Sequence, residues 1–190
     1  MFLNLLVELL TYTIRLAKAS EIYELPEVER LAALRFLPYV DELEISAEML
    51  EGLTPISFLR RAQAEHRLWI AIPDLPKSSP IGFIAAKFLL ESCFIIEISV
   101  HPAHGRKGVG SALIEACCQG TSARGLKWVS LTTFRYVPWN IPFYQKMGFE
   151  VVDEASQPSE IRAIVAHEAR YGFKRKHRVV MSRALEERRP

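Results

Sequence analysis

The sequence predicts a single α/β domain (α+β, mixed sheet) whose centre is a mostly antiparallel sheet of about seven strands flanked by helices. Three observations lead there. Strand-like apolar runs over residues 68–72, 81–89 and 94–100 follow one another through short turns, as antiparallel neighbours do. The last of these is followed by a loop, a helical apolar repeat and a further strand-like run from Trp128 to Thr132, which makes that pair parallel. The chain has 190 residues, 49% apolar and 24% charged, which suits one domain with a full core.

The elements follow in order. Phe2 to Leu10 is strongly apolar, broken by Asn4 and Glu8. It is shorter than the roughly 20 residues of a membrane-spanning helix and has no basic n-region of a secretory leader. It reads as a short helical extension, residues 1–11, before a domain at 12–185 and a charged tail at 186–190. Tyr12 to Ala17 reads as a strand, with Ile14 and Leu16 alternating against Thr13 and Arg15. Ser20 is a candidate N-cap, Pro26 should interrupt or bend the helix that follows, and Pro38 should end it. The segment from Asp41 to Glu51 holds five carboxylates and no Lys or Arg. It reads either as a solvated face or as a negative rim that attracts a cationic amine. A helix from about Ser57 to His66 precedes the three strands.

A helix from Gly108 to about Arg124 stops at Gly125, and Gly120 inside it calls for a packing reason, since glycine costs about 1 kcal/mol there against alanine. Asn140 reads as the N-cap of a short helix, residues 141–147, which ends at Gly148. A strand over 149–152, a helix from about Ser159 to Gly172 and a strand over 178–185 complete the chain.

The net charge of +2 makes no case for nucleic acid. Cys93, Cys117 and Cys118 have neither metal-ligand spacing nor the count of a disulfide framework, which suits a reducing cytoplasm.

The most informative stretch runs from Ile98 to Leu113. An apolar run ends at Val100, and Pro102 has no N–H to continue a ladder. A basic loop follows, and Gly108 and Gly110 open a helix with an apolar face of Val109, Ala112, Leu113, Ala116 and Cys117. The first turn of a helix carries unpartnered N–H groups and partial positive charge, and glycine lets a phosphate approach them. Arg106 and Lys107 add formal charge, so a pyrophosphate suits this loop. The alternative is a tight strand-to-helix turn that merely needs glycine. The NTPase loop and the Gly-x-Gly-x-x-Gly fingerprint are both excluded, the latter because Leu113 sits at its third glycine.

Val-His-Pro, four residues, then Lys-Gly-Val-Gly and Leu113 resemble motif A of the GNAT superfamily of acyl-CoA-dependent N-acetyltransferases. One departure stands out. The family usually places Gln or Arg, then Gly, then a basic residue before the first motif glycine, and here Gly105 and Arg106 are in reversed order. Asn140, Phe143, Tyr144, Gly148 and Phe149 resemble motif B of the same superfamily. The resemblance implies the GNAT-like fold, with the parallel pair splayed after the strand at 93–100. It also implies that acetyl-CoA is the co-substrate and that no metal is needed. The loop Gly105, Arg106, Lys107, Gly108, Val109, Gly110 and Ser111 would hold the pyrophosphate. Backbone groups of Ile98, Ser99 and Val100, with Asn140, would hold the pantetheine arm, and Tyr144 would sit by the thioester sulfur.

Acyl transfer to an amine needs a base for the ammonium proton and an acid for the departing thiolate. Glu97 is the candidate base. Strict alternation would point it with Ile95 and Ser99, opposite Ile96 and Ile98. Its other reading is a solvated or ion-paired strand residue. Tyr144 is the candidate acid, and its other reading is a core aromatic with a satisfied hydroxyl. His101 and His104 read as loop residues, and Phe134, Tyr136 and Trp139 as pocket lining or simple packing. Two functions follow. One is an N-acetyltransferase acting on a small-molecule amine by direct attack in a ternary complex, with a protein or peptide acceptor as a variant. The other is a non-catalytic acyl-CoA-binding or regulatory domain. Neither involves nucleic acid or a membrane span, and the resemblance is compatible with a homodimer.

Overall fold

The structure, a computed structural model, describes residues 11–185. The apolar extension and the charged tail expected from the sequence lie outside the described residues. The strands are β1 (Tyr12–Leu16), β2 (Leu68–Pro73), β3 (Gly82–Phe88), β4 (Ser92–Val100), β5 (Trp128–Phe134), β6 (Glu150–Val151) and β7 (Arg178–Ala184). They form one sheet in the order β1-β2-β3-β4-β5-β7-β6. Every neighbouring pair is antiparallel except β4 and β5. The mixed seven-stranded sheet is therefore the one the sequence implied.

The helices are α1 (Leu25–Ala33), α2 (Val40–Leu43), α3 (Ile56–Ala64), α4 (Val109–Ser122), α5 (Asn140–Lys146) and α6 (Ser159–Arg170). They cover both faces. On one, Leu113, Ile114, Cys117 and Cys118 of α4 bury against Ile84, Cys93, Ile95, Val129 and Leu131. On the other, Leu25 and Val28 of α1 and Leu59 and Ala62 of α3 meet Leu68, Ile70, Phe83 and Ala85. Farther along that face, Ile161 of α6 packs with Phe94 and Val180. Cover on two faces explains why β3 and the first half of β4 are apolar at nearly every position.

Several boundaries differ from the expectation for local reasons. Ser20 lies inside a 3₁₀ turn, Ala19–Glu24, rather than capping a helix. Glu21 serves the cap instead, accepting the Lys18 N–H at 2.7 Å and two bonds from Arg15 at 2.9 and 2.5 Å. Pro26 does not interrupt a helix but sits in the first turn of α1, where its missing N–H costs nothing. Pro38 does not end one either, because it lies in a 3₁₀ segment, Leu34–Tyr39, that runs into α2. Without an α-helical ladder its ring has no i−4 carbonyl to strike. Leu16 is exposed on the edge strand β1, so of its expected alternation only Ile14 turns inward, and it is half-buried.

The packing reason for Gly120 is Trp69. A Cβ built on Gly120 would stand 2.4 Å from Cζ2 of that buried indole. Close approach of α4 to β2 therefore excludes any side chain there. Gly120→Ala should raise intrinsic helix propensity yet lower stability by about 1–3 kcal/mol through overpacking, read as a lower midpoint in urea melts.

Candidate active site

The parallel ladder of β4 and β5 is short. It pairs Ser92, Cys93, Phe94 and Ile95 with Trp128, Val129, Ser130 and Leu131, and stops. Beyond it, residues 97–100 of β4 pair only with β3, and residues 132–134 of β5 pair only with β7. The two strands thus diverge at their C-terminal ends. Backbone groups of Ile98, Ser99 and Val100 on the β5 side are left without a strand partner there.

A β-bulge at this place sets the direction of Glu97. The register passes from Ala85 opposite Glu97 to Ala86 opposite Ile95, so Ile96 is the extra residue. One extra residue reverses the alternation. Ile95 and Ile98 both belong to the core beneath α4, while Glu97 turns to the other face with Ser99. This corrects the strict alternation, in which Glu97 would have shared its face with Ile95. The Ser99 hydroxyl donates to Glu97 Oε1 at 2.7 Å. Burial pushes the Glu97 carboxyl up from its ordinary value, opposed by the Ser99 hydrogen bond and by the charge of Arg178.

Tyr144 lies on α5 and is 8% exposed. Its ring meets Phe143 and Phe149 edge-on, at 5.1 and 5.9 Å between centroids. Burial first, then the charge of Glu97, holds its phenol well above the ordinary value, so it keeps its proton. Asn140 is buried, but it is the first residue of α5 rather than the cap, which is Trp139. Its side-chain amide donates to the Phe134 carbonyl at 3.4 Å, tying α5 to the end of β5.

Arg178, at the start of β7, supplies fixed positive charge. It donates to Thr132 Oγ1 at 2.7 Å and to Glu168 Oε2 at 3.2 Å, and its guanidinium stands over Phe134 and Phe173. Phe134 and Trp139 pack with Leu43, Ile45 and Val137, whereas Tyr136 is exposed. Of the acidic segment, Glu44 is engaged by Lys174, Lys176 and His177. Those partners hold its carboxyl down at about 2. The segment thus closes onto the chain before β7.

One buried carboxyl was not legible in the sequence. Glu29 of α1 is 7% exposed, although α1 presents it amid an ordinary amphipathic pattern. Its Oε1 accepts from both the N–H and the hydroxyl of Thr54, each at 2.9 Å. Its Oε2 is buried without a hydrogen-bond partner. Burial chiefly, then the charge of Glu97, pushes the Glu29 carboxyl up to about 8. The partly buried carboxyl of Glu97 on β4 thus adds to the effect of burial on Glu29. No local signal distinguishes Glu29 from the exposed Glu27, because its partner lies 68 residues away in sequence.

The loop after β4 has the geometry of an anion cradle. His101 caps a 3₁₀ turn, Pro102–His104, by accepting the Ala103 N–H on Nδ1. Residues 105–108 are exposed, and Gly108 stands at φ 82 as the N-cap of α4. The first amide that bonds back is Ala112, to Gly108 O at 3.0 Å, which leaves the amides of Val109, Gly110 and Ser111 ahead of it. The reversed pair also has a structural signature. Gly105 takes an ordinary φ of −62, while Arg106 takes the left-handed φ of 57. His104 is beside this loop, and among the described residues no group of His, Cys, Asp and Glu is arranged to hold a metal. No helix among them is long and apolar enough to cross a membrane.

Residues 64–151 match the family model of the acetyltransferase (GNAT) domain. The fold is shared with solved structures of low identity. PaiA N-acetyltransferase from Thermoplasma acidophilum, in complex with coenzyme A, is similar with a TM-score of 0.67 and 18% identity over 92% of this chain and 99% of that one. A ribosomal-protein alanine N-acetyltransferase from Escherichia coli gives 0.61 and 15%, over 93% and 95%. N-acetylglutamate synthase from Neisseria gonorrhoeae, with coenzyme A and N-acetyl-glutamate, gives 0.63 and 17%, over 93% and 35%. The matched residues are a little under half of the chain, and the solved structures share its fold. The activity this domain match supports is that of an acyl-CoA-dependent acetyltransferase, with coenzyme A as the carrier of the acyl group.

Two predictions follow from this geometry. Arg106→Gly should relieve about 1 kcal/mol of backbone strain, leaving the melting temperature unchanged or higher, while coenzyme A binding weakens several-fold in calorimetry through the lost charge. Glu29 makes the fold pH-sensitive. Its folded value lies above its unfolded one, so its contribution is complete below about pH 4.5 and lost as pH rises through about 8. Melts across that window should show a stability decline that Glu29→Gln flattens.

Proposed function

We propose that this enzyme moves the acetyl group of acetyl-CoA to a primary amine of a small molecule, by direct attack within a ternary complex. The observation that carries the reading is the early end of the β4–β5 ladder with Glu97 on its rim and Tyr144 within reach of the Glu97 charge.

Acetyl-CoA supplies a thioester carbonyl as electrophile and a thiolate as leaving group. The amides from Gly105 to Ser111, with Arg106 and Lys107, suit its pyrophosphate. The open backbone edge at Ile98, Ser99 and Val100 suits the amide-bearing pantetheine arm. Asn140, bonded to the Phe134 carbonyl, holds α5 in place beside it. An amine with an ordinary value near 10 arrives mostly as ammonium at neutral pH, so it must lose a proton before it attacks. Glu97 accepts that proton, directly or through water. Burial raises its basicity, and Ser99 fixes one of its oxygens. Tyr144 keeps its proton until charge develops on sulfur, then donates to it.

A small acceptor is favoured by what encloses the site. Phe36, Tyr39, Leu43 and Ile45 pack on Phe134, Val137, Trp139 and Phe173, and Glu44 pairs across to Lys174 and Lys176. An apolar wall of this kind, tied across by ion pairs, suits a compact acceptor.

Glu97→Gln and Tyr144→Phe should each lower kcat by about 10²–10⁴-fold against a panel of amines, with acetyl-CoA affinity retained by calorimetry. Unchanged turnover in both variants would sink the catalytic roles. Binding of acetyl-CoA with no amine response in the intact protein would favour the regulatory reading.

A further inference from the structure

Tyr12 opens β1, and 95 residues separate it from the loop it touches. With Ile14 it lies on the face beneath α4, and both pack on the core that includes Val109 and Leu113. Its hydroxyl ends on the loop that opens α4, where it donates to the Lys107 carbonyl at 3.4 Å. A Cβ built on Gly108 would stand 3.4 Å from the same hydroxyl oxygen. The phenol of an edge strand therefore rests on the peptide between Lys107 and Gly108, against both of its residues.

Peptide geometry decides what that contact fixes. A trans peptide points its N–H opposite to its C=O. With the Lys107 carbonyl turned to Tyr12, the Gly108 N–H is turned away from β1, on an exposed stretch of chain. That N–H has no backbone acceptor among the described residues. The nearby acceptors are engaged: the Gly108 carbonyl receives the Ala112 N–H at 3.0 Å, and the Lys107 ammonium bonds back to the Ala103 carbonyl at 3.0 Å. At 3.4 Å the phenol bond is long, so it contributes direction more than energy. It also polarises the peptide, because a donor on the carbonyl strengthens the N–H of the same unit.

We propose that Tyr12 is a positioning residue for the co-substrate: it turns the peptide between Lys107 and Gly108 so that the Gly108 N–H faces a phosphate oxygen of coenzyme A. The inference rests on the reading of this loop as the pyrophosphate site. It extends that site beyond residues 105–111 to β1, the edge strand three places from β4 in the sheet. Arg106 and Lys107 bring charge to the loop, whereas the Tyr12 hydroxyl is neutral and acts only through the direction of one amide. Its removal should therefore be felt at that amide first, and at its neighbours on the first turn of α4 little.

The test needs no acceptor amine. The intact protein and Tyr12→Phe, which keeps the ring and loses only the hydroxyl, are labelled with nitrogen-15 and titrated with inorganic pyrophosphate by NMR. In the unsubstituted protein the amides of Gly108, Gly110 and Ser111 should all shift as the anion binds. In Tyr12→Phe the shift should shrink at Gly108 while Gly110 and Ser111 still respond. Calorimetry should then show the Kd of coenzyme A rising by about 3–10-fold, the worth of one hydrogen bond. An equal loss at all three amides would mean that Tyr12 merely supports the loop, and an unchanged Gly108 response with an unchanged Kd would mean that its hydroxyl aims nothing. Either result overturns the positioning role. The two readings fail separately. If the unsubstituted protein binds neither pyrophosphate nor coenzyme A, the loop is no pyrophosphate site, and the co-substrate reading falls together with the role of Tyr12. If it binds both and Gly108 does not respond, only the role of Tyr12 fails.

Discussion

The hydrogen-bond ladder between β4 and β5 stops after four residue pairs, and the site is built on that stop. A longer ladder would have paired residues 96–100 with the end of β5 and sealed the sheet. Instead β3 and β7 each hold one strand, and the strands part. Backbone groups along such an opening are left to water or to a ligand, because a buried, unpaired one costs about 1–3 kcal/mol. An extended ligand rich in amides answers them as a further strand would. The bulge at Ile96 belongs to the same event. It re-aims Glu97 away from the core beneath α4 and toward the opening.

Chain continuity then joins the opening to the anion cradle. β4 leads through the 3₁₀ turn at Pro102–His104 straight into α4, so the strand that carries Glu97 also delivers the helix N-terminus. Val109, buried on the first turn of α4, anchors that end on the sheet. The loop can therefore expose residues 105–108 without losing its place. Arg106, exposed in this loop, accepts a left-handed backbone that glycine would adopt more easily.

Burial sets the electrostatics of the three acids beside the opening. It raises Glu29, Glu97 and Tyr144 alike, since each loses water for its charged form. Arg178 opposes this only for Glu97 and Tyr144, being fixed on β7 by Thr132 and Glu168. Arg35 adds to it at Tyr144, whereas no cation offsets the burial of Glu29. The same burial that suits the chemistry weakens the fold at alkaline pH, which is the usual exchange of stability for a working site.

Much of this was legible in the chain. The short turns between residues 68 and 100 made an antiparallel meander, and the strand–loop–helix–strand order made the next pair parallel, because both are consequences of chain length and periodicity. Gly108 with Arg106 and Lys107 marked the exposed loop that opens α4, and Glu97, Asn140 and Tyr144 stood out as candidates through the motifs around them. Local rules failed where distant residues intervened. Asn140 gave up the cap to bond the Phe134 carbonyl, and Pro26 and Pro38 fell inside helical segments that tertiary packing set. The direction of Glu97 required the register against β3, since one extra residue reverses a period of two. Glu29 required the whole fold, because its burial and its Thr54 partner are made by packing α1 against the sheet and leave no trace in the residues beside it.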